Sequence, residues 1–193
     1  MQSICVFCGS NSGARSSYAD AARELGRTIA ARGLRLIYGG AAVGLMGELA
    51  NAALAAGGVA IGVIPAALLE REIAHSGLTE LHAVRSMHER KARMADLSDG
   101  FIALPGGAGT LEELFEIWTW GQLGHHKKPV GLLNVEGFFD PLLSFIDQQC
   151  RERFMRPEHR DMLLTDTDAG RLLDRFTAYQ APSVEKWIRT GQR

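Results

Sequence analysis

Short apolar runs alternate with longer amphipathic segments along most of the chain. Segments such as "YADAARELGRTIAARG" place alanine and leucine at helical spacing and end at a glycine, Gly33 there and Gly57 in the next one. Continuous apolar strands that alternate with helices predict a Rossmann-like, doubly wound α/β fold, in which helices cover both faces of a parallel sheet. The predicted strands are "SICVFCG" (3–9), "LRLIYGG" (34–40), "GVAIGVIP" (58–65), "ELHAV" (80–84), "GFIALPGG" (100–107) and "PVGLLNV" (129–135).

The length and composition predict a single domain. The chain has 193 residues, of which 46% are hydrophobic, enough for one substantial core and little more. From about residue 150 it becomes rich in arginine and predicts helices that complete the fold. We therefore expect one domain over residues 1–180 and a loose C-terminal tail over 181–193.

Charge and hydropathy narrow the range of partners. A net charge of −1 argues against nucleic-acid binding, which needs a basic surface. No apolar run approaches the roughly 20 residues of a membrane span, so we expect no membrane association. The N-terminus "MQSICVFCGS" lacks the features of a signal peptide, which predicts a cytoplasmic protein.

The cysteines and histidines do not predict a metal site. Cys5 and Cys8 form a C-x-x-C, but it lies inside an apolar strand, and a second pair of zinc ligands is missing. We interpret both as buried side chains, and all three cysteines, with Cys150, as reduced thiols. The six histidines show no spacing typical of metal ligands.

Three predicted strands run into glycine-rich turns, and these turns are the first candidate site. Ligands of such folds bind beyond the carboxyl ends of the strands, where glycine allows close backbone approach and a helix N-terminus attracts anions. The turns predict a ligand that carries phosphate, although neither G-x-G-x-x-G nor G-x-x-x-x-G-K-[ST] is present, which argues against standard NAD binding and Walker-type ATP hydrolysis. Their candidate binding residues are Gly9, Ser10, Gly39, Gly40, Gly44, Gly106, Gly107 and Gly109.

The third turn continues into "TLEE", which has two interpretations. As a capping box, Thr110 is the N-cap of the following helix and Glu113 reaches back to its amide. Alternatively, Glu113 lies beside the glycine loop and acts on a bound ligand. Glu112 and Glu116 share a helix face and are expected to be solvated.

A second cluster is basic. In "SMHERKARM", Arg90, Lys91 and Arg93 crowd the expected start of a helix, where cations oppose the helix dipole. Either an anionic ligand compensates them, or they form a solvated basic turn partly offset by Glu89. His88 is expected to lie on the surface.

These segments together resemble a known family. "PGGAGTLEE" is similar to the P-G-G-x-G-T-x-x-E motif of the LOG (Lonely Guy) family, cytokinin riboside 5'-monophosphate phosphoribohydrolases that are often mislabelled lysine decarboxylases. "CVFCGS", "YGGAAVGLMG", "MHERKARM" and "WTWGQLGHHKKPVGLLNVEGFFDPLL" extend the resemblance over roughly residues 3 to 165. The sequence departs from many members at Ala108, where they carry tyrosine, and at Ala41, where they carry glycine.

The resemblance implies a homodimeric enzyme without a cofactor. It would cleave the N-glycosidic bond of a nucleoside 5'-monophosphate and release the free base and ribose 5-phosphate. Arg90 and Glu113 match the family's catalytic pair. The positions that match its substrate-binding segments are Glu72, Met87, Lys91, Gly106, Gly107, Gly109 and Thr110.

Three alternatives are considered. The closest is a nucleosidase for AMP or nucleotides in general, which differs only in base preference. The second is a sensor that binds a nucleotide without turnover, although binding alone would not require a carboxylate near a phosphate. The third is a decarboxylase dependent on pyridoxal phosphate, which needs a Schiff-base lysine. Of the four lysines, only Lys91 lies near the predicted phosphate site.

Overall fold

The protein forms one seven-stranded parallel sheet with helices on both faces. A computed structural model describes residues 1–69 and 74–182. The strands in these residues are β1 (Ser3–Phe7), β2 (Arg35–Tyr38), β3 (Val59–Pro65), β4 (Glu80–Val84), β5 (Gly100–Ala103), β6 (Val130–Leu133) and β7 (Leu163–Asp166). The α-helices are α1 (Ser16–Ala31), α2 (Gly44–Ala55), α3 (Met87–Asp96), α4 (Ala108–Gln122), α5 (Asp140–Arg151), α6 (Pro157–Asp161) and α7 (Ala169–Ala178). None of these helices is long and apolar enough to cross a membrane.

The strand order is β4-β3-β2-β1-β5-β6-β7, and every neighbouring pair is parallel. The chain builds the sheet outwards from β1 to β4, then crosses back to place β5 on the other side of β1. The turns that follow β1 and β5 therefore lead to helices on opposite faces, which opens a crevice at the carboxyl edge of the sheet. This confirms the predicted Rossmann-like fold.

Alternation along the strands supplies two cores. On β1, Ile4 and Val6 face the core beneath α1, α2 and α7. Cys5 and Phe7 face the opposite core, beneath α3, α4 and α5. Because both faces of these strands are buried, their sequences are continuously apolar and do not alternate between apolar and polar residues.

The predicted helix ends are confirmed. Gly33 follows α1 with a φ of 67°, and Gly57 follows α2 with a φ of 75°. These left-handed conformations cost glycine little, and they end each helix.

Strand β7 was not predicted from the sequence. The region after residue 150 was expected to be helical, yet β7 pairs with β6 at the edge of the sheet. Only Leu163 of its four residues is fully buried, because an edge strand needs less apolar sequence than a central one. Of the expected tail, residues 183–193 lie outside the described part of the chain.

Candidate active site

The three glycine-rich turns meet at the carboxyl edge of the sheet, as predicted, because β2, β1 and β5 are neighbours. Backbone hydrogen bonds join them. The amide of Gly9 donates to the carbonyl of Pro105 at 3.1 Å, and the amide of Leu45 donates to the carbonyl of Gly9 at 3.1 Å. The first turn is thereby held to the other two.

The α4 helix begins differently from the capping-box prediction. Gly107 is its N-cap, and Thr110 is its third residue, so that prediction is wrong. Thr110 is buried instead against Gly106, where an added Cβ would meet the Thr110 hydroxyl. Gly107 has no side chain with which to cap the first turn of α4, whose amides carry the positive end of the helix dipole.

A cavity of about 370 Å³ opens in front of this helix terminus. Its described lining includes eight residues proposed from the sequence: Gly9, Ser10, Met87, Arg90, Gly107, Gly109, Thr110 and Glu113. An added Cβ on Gly107 or Gly109 would meet no protein atom within 4 Å, so both glycines present bare backbone to the cavity. This is the surface that a phosphate group needs at a helix N-terminus.

Arg90 and Glu113 form an ion pair in this cavity. The Arg90 Nη1 donates to the Glu113 Oε1 at 3.1 Å, and the two side chains are only 10% and 12% exposed. The pair joins α3 to α4. Charges that are this shielded from water interact more strongly than exposed ones and must be paired to be tolerated.

The guanidinium of Arg90 is held from three directions. Its Nε donates to the buried carbonyl of Val63, within β3, at 3.0 Å. Its Nη2 lies against Gly39, where an added Cβ would come within 2.3 Å. Gly39 therefore serves the site by leaving room for Arg90, although it does not line the cavity among the described residues.

Two further glycines of the second turn, Gly40 and Gly44, also support the site without lining the cavity among the described residues. Gly40 and Gly44 have φ values of 84° and 55°, which favour glycine. A Cβ on Gly44 would collide with the backbone of Ser10 at 2.3 Å. Like Gly39, neither is among the described residues that line the cavity, so the turn shapes the site without forming its wall.

The basic cluster lies further along α3 than expected. Ser86 caps the helix by accepting from the amide of Glu89 at 3.1 Å, and Arg90 is the fourth helical residue rather than part of the first turn. His88 is exposed, as predicted. Arg93 bonds to His82. The cluster is thus not a solvated basic turn.

Lys91 pairs with α4. Its Nζ lies 2.5 Å from the Glu112 Oε1 and 3.0 Å from the Glu116 Oε2, which makes the prediction of two merely solvated glutamates wrong. Burial lowers the pKa of Lys91, but the hydrogen bonds to the two carboxylates outweigh it and leave the pKa raised. Within the described part of the chain, Lys91 is not part of the cavity wall, whereas Glu112 is.

The remaining proposed residues lie elsewhere. Gly106 lines a neighbouring cavity of about 210 Å³ with Tyr18 and Phe138, whose rings meet edge to face at 5.7 Å. Glu72 lies outside the described residues. Four further residues line the larger cavity, Cys8, Met46, Ala108 and Glu112. None of them was among the binding residues proposed from the sequence. All four belong to quoted motifs, but only the three-dimensional packing shows that they face the site.

Cys8 is buried, as its position in an apolar strand predicted. Burial raises the pKa of its thiol, and the charge of Glu113 raises it further. The thiol therefore stays protonated at neutral pH. Because a thiolate is the reactive form, Cys8 is not suited to be a nucleophile.

The fold and the site define a doubly wound α/β protein with an anion-binding helix terminus beside a buried carboxylate–guanidinium pair. A family model described as "Possible lysine decarboxylase" matches residues 46–176. The chain is 52% identical over 176 residues to the cytokinin riboside 5'-monophosphate phosphoribohydrolase LOG of Oryza sativa subsp. japonica, covering 91% of this chain and 73% of that one. It is 51% identical over 183 residues to the phosphoribohydrolase LOG1 of Arabidopsis thaliana, covering 95% and 85%. The chain belongs to this LOG family.

Solved structures support the fold. The molybdenum cofactor carrier protein of Chlamydomonas reinhardtii matches with a TM-score of 0.69 and 22% identity, covering 92% of this chain and 99% of that one. The molybdenum cofactor binding protein of Rippkaea orientalis matches with a TM-score of 0.67 and 21% identity, covering 92% and 96%. At this identity the likeness concerns the architecture alone.

Proposed function

We propose that this protein hydrolyses the N-glycosidic bond of cytokinin riboside 5'-monophosphates and releases the free base and ribose 5-phosphate. The names of relatives about 50% identical over most of the chain support this reaction. The observation that carries it is the Arg90–Glu113 pair, shielded from water in a cavity whose other wall is the α4 N-terminus.

The phosphate would bind at that N-terminus. The amides of Ala108, Gly109 and Thr110 lie in the first turn of α4, where a helix has no internal acceptors for its N–H groups. Anions are stabilised there by these donors and by the helix dipole. A nucleotide anchored in this way places its ribose towards the cavity interior and Glu113.

Glu113 would act on the ribose. Cleavage of the bond builds positive charge on the anomeric carbon, and a nearby carboxylate stabilises that charge. The same carboxylate can accept a proton from the attacking water. The oxygen of the water bonds to the anomeric carbon, and the electron pair of the broken bond leaves with the base, which takes up a proton.

Arg90 would hold Glu113 in place and stabilise charge on the departing group. A guanidinium stays protonated at all physiological pH values, so it is a poor general acid. Its bonds to Val63 and Glu113 fix its orientation before any substrate arrives. Such fixed groups stabilise a transition state without having to reorganise.

A pyridoxal-dependent decarboxylase finds no support in the described lysines. Lys91 is paired with two carboxylates, and Lys128 donates to the carbonyl of Ala95 at 2.8 Å. Lys127 is exposed near Lys128. None of these three lines the cavity. Lys186 lies outside the described residues.

Base preference is the finer part of the proposal. We propose that AMP is also a substrate, because the phosphate and ribose positions are common to both nucleotides. Met46 and Met87 line the cavity and give it apolar, adaptable surface that suits a purine with an apolar substituent.

The test is base release by the pure protein in EDTA, with AMP and isopentenyladenosine 5'-monophosphate as substrates. Chromatography follows the base and ribose 5-phosphate, which should appear in equal amounts. Glu113→Gln should lower kcat by a factor of about 10² to 10⁴. Glu152→Gln is the matched control, because this carboxylate is exposed at the end of α5. AMP binding without release of either base would reject hydrolysis and favour a nucleotide sensor.

We further propose a cytoplasmic homodimer. The three cysteines, all in the described residues, are free thiols, which suits a reducing compartment. The dimer rests on the family resemblance. Light scattering after size-exclusion chromatography would give about 42 kDa for a dimer of the 21.0 kDa chain. A mass of one chain would reject it.

A further inference from the structure

Two adjacent ion pairs connect α3 to α4 beside the cavity. Arg90 and Lys91 are consecutive on α3, and they meet Glu113 and Glu112, which are consecutive on α4. Glu116, one turn further along α4, is a second acceptor for Lys91. Lys91 therefore provides a second connection between α4, which carries Glu113, and α3, which carries Arg90.

The environment of Lys91 sets it apart from a surface ion pair. Its side chain is 10% exposed, as little as that of Arg90, whereas Glu112 is 56% exposed. Shielded ion pairs with two hydrogen bonds hold geometry better than exposed pairs, which gain little. Among the described residues, Lys91 does not line the cavity, whereas Glu112 does.

We infer that Lys91 is a positioning residue, which holds the first turns of α4 against α3 through Glu112 and Glu116 and so keeps Glu113 in register with Arg90. This inference rests on the proposed function for its kinetic consequence. It assigns Lys91 a role other than the contact with substrate that the family resemblance implies. The anion is then bound by the amides of α4 and not by the ammonium group.

The kinetic test uses Lys91→Met, which keeps the length of the side chain and removes its charge. A misplacement of about 1 Å at the reacting groups can cost a factor of about 10² in rate, so kcat for base release should fall by about tenfold to a hundredfold. The Kd for AMP should stay within about twofold, because the binding amides are unchanged. Lys91→Arg, which can reach both carboxylates, should recover most of the rate.

The decisive control removes the acceptors instead. The double variant Glu112→Gln/Glu116→Gln should reproduce the loss in kcat, and adding Lys91→Met to it should cause little further loss. If Lys91 instead contacted the phosphate, Lys91→Met would raise the Kd for AMP at least about tenfold in both backgrounds. That result would overturn the inference.

A crystal structure of Lys91→Met separates this inference from the proposed function. The Arg90 Nη1–Glu113 Oε1 distance, 3.1 Å here, should exceed hydrogen-bonding range in the variant. An unchanged distance would refute the positioning role, whether or not the wild type releases a base. Should Lys91→Met fail to fold, the same measurement on Glu112→Gln/Glu116→Gln decides the point.

Discussion

Gly39→Ala should disable the site, although Gly39 itself is not among the described residues that line the cavity. The new methyl carbon would lie 2.3 Å from the Arg90 Nη2 and 3.0 Å from the Met46 sulfur. The guanidinium must retreat by about 1 Å to reach an ordinary contact of about 3.5 Å. Because the Arg90 Nε is bonded to Val63, that retreat must bend or break one of its hydrogen bonds.

The consequence for the chemistry follows from the same distances. The Arg90 Nη1–Glu113 Oε1 distance is 3.1 Å, so a small displacement of the guanidinium takes the two atoms out of hydrogen-bonding range. We expect kcat for base release to fall by about 10²-fold. The overpacked site should lose about 1 to 3 kcal/mol of unfolding free energy.

The assay is a double-mutant cycle with Arg90→Met, which removes the terminal guanidinium nitrogens that the methyl group would meet. In that background, Gly39→Ala should cost little further activity and less stability than in the wild type, because the clash has gone. Base release and urea unfolding are measured for all four proteins. A Gly39→Ala variant with kcat near the wild-type value would refute the argument, as would penalties that simply add.

Two further predictions address the anion site and the pH dependence. Gly109→Ala should leave the fold intact, since a Cβ there meets no protein atom within 4 Å and alanine favours a helix by about 1 kcal/mol over glycine. It should nevertheless lower kcat/KM at least about tenfold, mainly through a higher KM, because the methyl group would occupy space at the anion site. An unchanged KM would show that the phosphate binds elsewhere. Burial lowers the pKa of His126 below its ordinary value of 6.5, despite the hydrogen bonds of its ring to Ile117 and Lys128. Below pH 6.5 the unfolded chain therefore binds more protons than the folded protein, so the unfolding free energy should fall there by up to about 1.4 kcal/mol per pH unit. Urea unfolding at pH 5.5, 6.5 and 7.5 should show that the unfolding free energy depends less on pH in His126→Gln than in the wild type. An equal pH dependence in the two proteins would contradict the assignment.

The sequence predicted the central part of the fold well, for a physical reason. Strands β1, β2, β3, β5 and β6 are buried along almost their whole length, so their apolar runs are continuous. Strand β4, at the other edge of the sheet, is mostly exposed. Strand β7 lies at the sheet edge with Thr165 and Asp166 in it, and it follows a helix of five residues. Neither element is long enough to show a period.

The sequence predicted most residues of the site, but not the contacts between them. Arg90 and Glu113 are 23 residues apart, and their pairing depends on how α3 and α4 cross the same face of the sheet. The local pattern around Thr110 was typical of a capping box, yet tertiary contacts start the helix three residues earlier, at Gly107. Spacing could not reveal that Gly39 makes room for a guanidinium, because that contact joins the turn after β2 to the distant helix α3.

The charges around the cavity give a reason why the proposed phosphate site is built from glycine. Three carboxylates, Glu112, Glu113 and Glu116, meet the two cations Arg90 and Lys91, so this group carries a net charge of −1. Such a surface stabilises a cationic sugar and repels a phosphate. The amides of α4 attract the phosphate without adding a mobile cation that would compete for Glu113. In the proposed mechanism, the separation of an amide-lined anion site from a carboxylate-rich ribose site would therefore allow one small cavity to hold an anionic substrate and stabilise a cationic transition state.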